Sequence, residues 1–294
     1  MKVLVLGSGG REHALAHSIS KSPLCERVFI APGNGGTGQV GENVAVNPEN
    51  FEAVKLFVIN NKIDFVVVGP EAPLVAGISD FFSNDNELKH IPVFGPKKLG
   101  AMLEGSKAFA KTFMQKHGIP TAKYAEFNGE QLDEAHAYLR EQGAPIVIKA
   151  DGLAAGKGVR VCFTNEEATE ALNDILADKM YGEAGASVVI EEFLEGIELS
   201  VFAITDGNTY TLLPNAKDYK RVGEGDTGLN TGGMGAISPV PFASQEFMAH
   251  VTKTIVEPTI KGLKNDGIDY KGFLYFGLMK VGDEAFVIEY NARM

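Results

Sequence analysis

From Lys2 to Gly95 short apolar, largely β-branched runs alternate with longer segments of mixed polarity. KVLVLG, RVFIAPG, DFVVVGPE and IPVFGP read as strands, and the stretches between them, from Arg11, over 51–60 and over 74–82, carry helical spacing. Continuous apolar runs separated by helices predict a parallel sheet covered on both faces, and hence a doubly wound α/β domain. Three of these strands run into glycine turns, at Gly7, Gly33 and Gly69, and such sheets bind ligands at the carboxyl ends of their strands.

A helical, lysine-bearing stretch over 97–117 is closed by Gly118-Ile119-Pro120, because proline disfavours helix at the residue before it. The pattern then predicts a strand, a helix over 131–142, a strand over 145–150, a glycine loop, a strand over 159–163, a helix over 166–177 and a strand over 188–192. ELSVFAIT, NTYTLLPN, KGFLYFGLMKV and EAFVIEYN follow as antiparallel strands, with VGDE as the hairpin turn between the last two.

Composition narrows the classes. A chain of 294 residues exceeds the size at which single cores stop growing, so two or more packed units are expected. Apolar runs such as 65–68 fall far short of the ~20 residues of a membrane span. The N-terminus has too few apolar residues before its glycines for a secretory core, so a cytoplasmic protein is expected. Cys25 and Cys162 lack His or Cys neighbours at ligand spacing and read as buried thiols. The net charge of −11, with no basic run longer than a pair, argues against a general nucleic-acid surface. A few lysines and glycine amides can still hold phosphate inside an acidic protein.

The stretch IVIKADGLAAGKGVRV is where that chemistry concentrates, although it is no Walker loop. Gly152 and Gly156 enclose three residues, and Lys157 is followed by Gly158 rather than a hydroxyl. Lys149 ends a strand at its ligand-facing end, and Lys157 lies in a loop whose glycines permit close backbone approach to phosphate. Two surface lysines on a hairpin would look the same in isolation. GSGGRE departs from the dinucleotide fingerprint at Glu12, which leaves a helix N-terminus suited to one phosphate or carboxylate with help from Arg11, or a tight turn with no ligand. His13 reads as structural. In EGSKAFAK, Lys107 can aim at the same phosphates. In IEEFLEGIELS the linker 191–194 can read an adenine edge through its backbone, and Glu198 can accept from ribose hydroxyls. Glu289 and Asn291 of VIEYNAR, two apart on a strand, share a face and offer oxygen ligands of the kind Mg²⁺ takes, or else form a solvated face.

In this order the features resemble the ATP-grasp superfamily. GSGGREHALA, APGNGGT, VVVGPEAPLVAG, LEGSKAFAK, the glycine-loop stretch and KRVGEGDTGLNTGGMGAISPVP resemble, over the whole chain, the phosphoribosylamine-glycine ligase (glycinamide ribonucleotide synthetase) family. The resemblance implies an N-terminal doubly wound parallel-sheet domain at 1–102 that binds substrate. An ATP-grasp domain of two α+β lobes follows at 103–294, with a small lobe at 121–192 carrying the glycine-rich lid and a large-lobe portion at 193–294. The family continues into a Gly-Asp-Pro-Glu segment and a further C-terminal domain, so the large lobe is expected to be truncated here.

The activity it implies is ATP-dependent joining of glycine to 5-phosphoribosylamine through a glycyl phosphate, with Mg²⁺, for which Mn²⁺ can substitute. Lys149, Asp218 and Arg293 are then catalytic. Lys107, Lys149, Gly156, Lys157 and Gly158 hold the nucleotide phosphates, Glu191, Glu192, Phe193 and Leu194 frame adenine, and Glu198 takes ribose. Gly9, Gly10, Arg11, Asp218, Lys220, Arg221, Asn230, Thr231, Gly232 and Gly233 surround glycine and the ribose phosphate, with the glycine-rich run 230–235 as a loop, and Glu289 and Asn291 bind the metal. The partners implied are small molecules alone, without nucleic acid or membrane, for a protein monomeric when full length. Another ATP-grasp carboxylate-amine ligase and a non-catalytic nucleotide-binding module are the alternative readings.

Overall fold

A computed structural model of the chain describes residues 1–154, 158–225 and 227–293. The first unit alternates β1 (Lys2–Gly7), α1 (Gly10–Ser20), β2 (Arg27–Pro32), β3 (Glu42–Asn43), α2 (Phe51–Asn61), β4 (Phe65–Val68), α3 (Glu71–Ala76), α4 (Ile78–Asn84) and β5 (Val93–Phe94). Its strands form one parallel sheet in the order β3-β2-β1-β4-β5. Successive residues of a strand feed opposite faces: Leu4, Leu6 and Val66 join one core cluster, and Val3, Val5 and Val67 another. Both faces are buried, which is why these strands read as unbroken apolar runs.

Two predicted helices are each broken once. The stretch 74–82 divides at Gly77, whose φ of +100° leaves the helical region at little cost only for glycine. The stretch 97–117 becomes α5 (Lys98–Gly105) and α6 (Lys107–Lys116), separated by Ser106 in extended conformation. The Ser106 hydroxyl accepts from the Phe109 N–H at 3.0 Å and so caps α6.

The crevice outside the carboxyl ends of β1 and β4 is where strand order reverses, and the side chain of Glu12, 3% exposed, fills its floor. The Gly9 N–H donates to Glu12 Oε2 at 2.6 Å. A Cβ at Gly7 would lie 2.6 Å from Glu12 Cγ, and one at Gly69 would overlap its Oε1, so this carboxylate leaves no room for a side chain at the last residue of β1 or at the residue after β4.

The second sheet is formed by β6 (Tyr124–Asn128), β7 (Ile146–Ala150), β8 (Val159–Cys162) and β9 (Ser187–Glu192) in the antiparallel order β6-β9-β7-β8. It is covered by α7 (Leu132–Gln142) and by α8 (Asn165–Leu172), which continues as a π turn to Ala177. The third sheet follows, with β10 (Ile197–Thr205), β11 (Tyr210–Leu212), β14 (Gly272–Val281) and β15 (Glu284–Arg293) in the order β11-β10-β14-β15. Its core takes residues from α9 (Gln245–Val251) and α10 (Glu257–Asn265) and from α5 and α6, among them Leu103, Phe113 and Met114.

The glycine-rich run 230–235, expected as a loop, belongs instead to a two-stranded ribbon of β12 (Lys217–Gly223) and β13 (Thr227–Ile237). Pairing across the ribbon, for example Tyr219 opposite Gly235, gives these peptides hydrogen-bond partners that a free loop would lack. The register shifts twice, and Gly228 and Gly233 adopt positive φ.

The packing of Glu12 generates a test. Gly69→Ala is expected to destabilise the fold by about 1–3 kcal/mol through overpacking, and to cost clearly less in a Glu12→Ala background. Denaturant midpoints for both single variants and the double variant check this; additive costs would refute the assignment of Gly69 to Glu12 packing.

Candidate active site

The lysine at the end of β7 is held by the neighbouring strand. Val147 lies opposite Glu191 in the β7–β9 ladder, so Lys149 and Glu191 are diagonal neighbours on one face. Lys149 Nζ lies 2.8 Å from Glu191 Oε1, and Lys111 Nζ, reaching in from α6, lies 3.0 Å from Oε2. The three side chains are 10%, 3% and 2% exposed, in the order Lys149, Glu191, Lys111. Lys111 also donates to Thr121 Oγ1 at 2.8 Å and to the Ala122 carbonyl at 3.5 Å, and sits over the Tyr124 ring. Lys149 donates to the Ile288 carbonyl of β15 at 3.0 Å, which ties the second sheet to the third. Burial lowers the Lys111 ammonium to about 8, against the attraction of Glu191.

Lys107 opens α6 beside this group. Its Nζ donates to the Gly152 carbonyl at 3.1 Å, and its pKa is lowered, first by burial and then by the Lys149 charge. Asp151, the first residue of the glycine loop, accepts from the Ala108 N–H at 2.8 Å and from the Ser106 hydroxyl at 3.0 Å. A carboxylate at the N-terminus of α6 is favoured by the helix dipole and pins the root of the loop to that helix.

A second group lies along β15. One bulge at Ile288 separates Glu289, opposite Gly277, from Val287, opposite Leu278. Glu289, Asn291 and Arg293 then alternate onto one face. Arg293 Nη2 donates to Asn291 Oδ1 at 2.8 Å, and its Nε donates to Glu104 at 2.9 Å, while Glu104 also accepts from the Ala292 N–H at 2.9 Å. Burial pushes the Glu104 carboxyl up, with the Arg293 guanidinium opposing. Arg293 lies 3.7 Å from Glu71 of the first unit. Arg11 feels the same cluster: burial lowers its pKa most, and the Arg293 charge adds to that. On the ribbon side Lys220 lies 3.4 Å from Glu198 and 3.6 Å from Asp218. Burial works against its charge, but Glu198 and Glu289 hold Lys220 above its ordinary range.

The structure thus gathers Lys107, Lys149 and Glu191, then Glu198, Asp218, Lys220 and Glu289, and finally Asn291, Arg293 and Arg11. Elsewhere Glu192 accepts from the Lys123 N–H at 2.8 Å, Phe193 packs edge-on against Phe163, and Leu194 is half-buried. Thr231 Oγ1 donates to the Lys220 carbonyl, the Gly233 N–H donates to Thr231, and Arg221 lies opposite Asn230 in the ribbon, with Gly232 further along β13. Gly10 opens α1, and the Gly9 N–H, read from sequence as open to an anion, is taken by Glu12. Gly158 is buried, its carbonyl accepting from the Ala150 N–H; Gly156 and Lys157 lie outside the described residues. Sequence reasoning missed Lys111, Asp151, Glu104, Glu71 and Glu12 as parts of the site. Only Lys111 left a usable signal, being one helical turn beyond Lys107 in KAFAK. Among the described residues no group of three or more His, Cys, Asp or Glu collects to hold a metal, and no helix is long and apolar enough to cross a membrane.

A parallel-sheet unit followed by two further sheets, with lysines from α6 and β7 facing the last strand, is the architecture of an ATP-grasp protein. Residues 1–104 match the N domain of phosphoribosylglycinamide synthetase, and residues 105–294 match the ATP-grasp (A) domain of the same family. The chain belongs to the phosphoribosylglycinamide synthetase family. It is 51% identical to the phosphoribosylamine-glycine ligase of Salmonella typhi, in an alignment covering all of this chain and 68% of that protein. The crystal structure of phosphoribosylamine-glycine ligase from Thermotoga maritima matches with a TM-score of 0.80 at 37% identity, covering all of this chain and 69% of that one. An ADP complex of N5-carboxyaminoimidazole ribonucleotide synthetase matches with a TM-score of 0.70 at 18% identity, covering all of this chain and 70% of that one, a likeness of fold alone.

The buried Lys111 makes stability depend on pH. Its folded pKa of about 8 lies below the ordinary 10.5, so the unfolded chain binds more protons between those values. The cost of burying its charge is full below pH ~8 and is relieved as pH rises through that window. Between pH 7.5 and 9.5 the unfolding free energy should therefore rise by about 1–2 kcal/mol relative to Lys111→Met. Paired denaturant titrations check this; a constant difference would contradict it.

Proposed function

We propose that this chain carries out the ATP-dependent ligation of glycine to 5-phosphoribosylamine, giving glycinamide ribonucleotide, ADP and phosphate, a step of purine biosynthesis. The observation that carries this reading is the meeting of Lys107 and Lys149 with the Glu289 strand in a chain of this family. Residues 1–102 take the phosphoribosylamine side and 103–294 the nucleotide, with 121–192 and 193–294 as the two lobes. It acts in the cytoplasm on small molecules, as a monomer, without nucleic acid or membrane.

The chemistry asks little of side chains as nucleophiles. A glycine carboxylate oxygen attacks the γ-phosphorus of ATP, ADP leaves, and the resulting glycyl phosphate is an acyl donor that the free carboxylate is not. The amine of 5-phosphoribosylamine then attacks the carbonyl carbon, expels phosphate and loses a proton. Positioning and charge neutralisation dominate both steps. Lys107 and Lys149, with Lys157 and the glycines at 156 and 158, hold the phosphates, while residues 191–194, from the end of β9 into the following linker, frame adenine and Glu198 takes ribose. Asp218 and Arg293 flank the reacting carboxylate, with Lys220, Arg221, Asn230, Thr231, Gly232 and Gly233 around it. Gly10 and Arg11 take the ribose phosphate from the first unit, while the Gly9 N–H stays with Glu12. The carboxylate and amide oxygens of Glu289 and Asn291 share one face and would hold a hard cation such as Mg²⁺ or Mn²⁺. The chemistry a bound ion would supply is neutralisation of charge on the transferring phosphoryl group.

Lys149→Ala is expected to weaken MgATP binding by about 2–4 kcal/mol, the order lost when a partly buried phosphate loses a charge-assisted partner. Calorimetric titration checks this, and unchanged affinity would remove Lys149 from the phosphate site.

The activity itself is tested by following ADP release with MgATP. Release should require glycine, and with hydroxylamine replacing the amine the chain should form glycine hydroxamate, the trapped product of glycyl phosphate. Release that is equally fast with another amino acid would favour a sister ligase. MgATP binding with no release under any combination of acids and amines would favour a nucleotide-binding module.

A further inference from the structure

The two lysines on Glu191 are not equivalent. An ammonium has three N–H donors, and those of Lys111 are committed inside the protein to Glu191 Oε2, Thr121 Oγ1 and the Ala122 carbonyl. Thr121 in turn donates to the Val287 carbonyl, so it can only accept from Lys111. Lys149 makes one hydrogen bond, to the Ile288 carbonyl, and an ion pair at 2.8 Å with Glu191 Oε1, an oxygen that accepts no aligned hydrogen bond, so at least one of its three donors has no partner among the described residues. It is also the more exposed of the two, at 10% against 2%.

We infer that Lys111 is a positioning residue for nucleotide binding: by neutralising Glu191 from the buried side it leaves the ammonium charge of Lys149 available to a phosphate. The inference rests on the nucleotide reading of the site. Glu191 paired with Lys149 alone would be a neutral couple, attracting an anion weakly. With Lys111 on its second oxygen, the triad carries one net positive charge, and the donor left over points that charge out through Lys149. Around this triad stand Lys107 from α6 and Glu192 from β9, with Asp151 and Glu289 beside Lys107, and none of the four makes a hydrogen bond or ion pair to Glu191 among the described interactions. Lys111 cannot itself reach the ligand, because it is enclosed and its donors are spent. Losing one unit charge about 8 Å from a phosphate, at an effective dielectric near 20, corresponds to a loss of affinity on the order of tenfold to thirtyfold.

The test is charge rescue, read as the Kd for MgATP by isothermal titration. Lys111→Met should weaken binding roughly tenfold or more, and the double variant Lys111→Met with Glu191→Gln, which restores the net charge, should return to within about threefold of the unsubstituted chain. Lys111→Gln keeps a donor to Glu191 without the charge; it should lose affinity like the methionine variant, and it carries the test if that variant does not fold. Thermal unfolding of each variant confirms that a folded protein is titrated. A single variant that binds as tightly as the unsubstituted chain overturns the inference, as does a double variant no tighter than Lys111→Met. An unsubstituted chain that does not bind MgATP overturns the nucleotide reading first, and the inference with it.

Discussion

A carboxylate buried between two ammonium groups is costly to assemble and harder to take apart, and Glu191 is that carboxylate. Desolvating three charges is offset only when each finds its partners, and removing one leaves the others buried and unpaired. The partners come from different elements: α6 supplies Lys111, β7 Lys149, β9 Glu191 itself and β15 the Ile288 carbonyl. The second and third sheets are therefore fixed relative to each other through the same side chains that are proposed to meet the nucleotide. The bridge between Thr121 and Val287 reinforces this joint within a few residues of it.

Two further buried carboxylates serve the other seams. Glu104, at the end of α5, holds Arg293 and the Ala292 amide, and through Arg293 it sets the orientation of Asn291. Glu12 lies under the ends of β1 and β4 and holds the first turn of α1 through the Gly9 amide. Each carboxylate thus fixes a residue of the candidate site from behind. A site at the junction of three sheets needs such ties, because loops alone would leave its groups loosely placed.

The sequence displayed the sheets more clearly than the ties. Unbroken apolar runs announced the parallel sheet, since strands buried on both faces have no polar alternation to show, and the alternating runs after residue 196 announced the antiparallel one. Helix ends at Gly77 and Ser106 were missed because the flanking residues keep a helical pattern across both breaks. The glycines at 232, 233 and 235 suggested a loop, yet cross-strand pairing with residues 217–223 placed them in a ribbon; Gly235 pairs with Tyr219, 16 residues upstream, which leaves no signal in the glycine run itself. Lysines 107 and 149 were legible as site residues through their motifs. Lys111, one helical turn beyond Lys107, left a signal that was passed over, whereas Glu104 left none, because a charged residue in a helical pattern reads as a solvated face until its partner, 189 residues away, is known.

The distribution of charge follows from the same arrangement. The chain as a whole carries −11, so its distant field repels polyanions, and an anionic ligand must be captured at short range. Lys111 and Lys149 from buried positions and Lys107 from a half-buried one provide that range, where salt screens them less than it screens surface charges. The cost of keeping them charged appears in the lowered pKa values of Lys107 and Lys111, and Glu191 offsets part of that cost. Because its carboxylate serves two lysines, the compensation stops one charge short of neutrality, and that residual charge is what a phosphate entering beside Lys149 would meet.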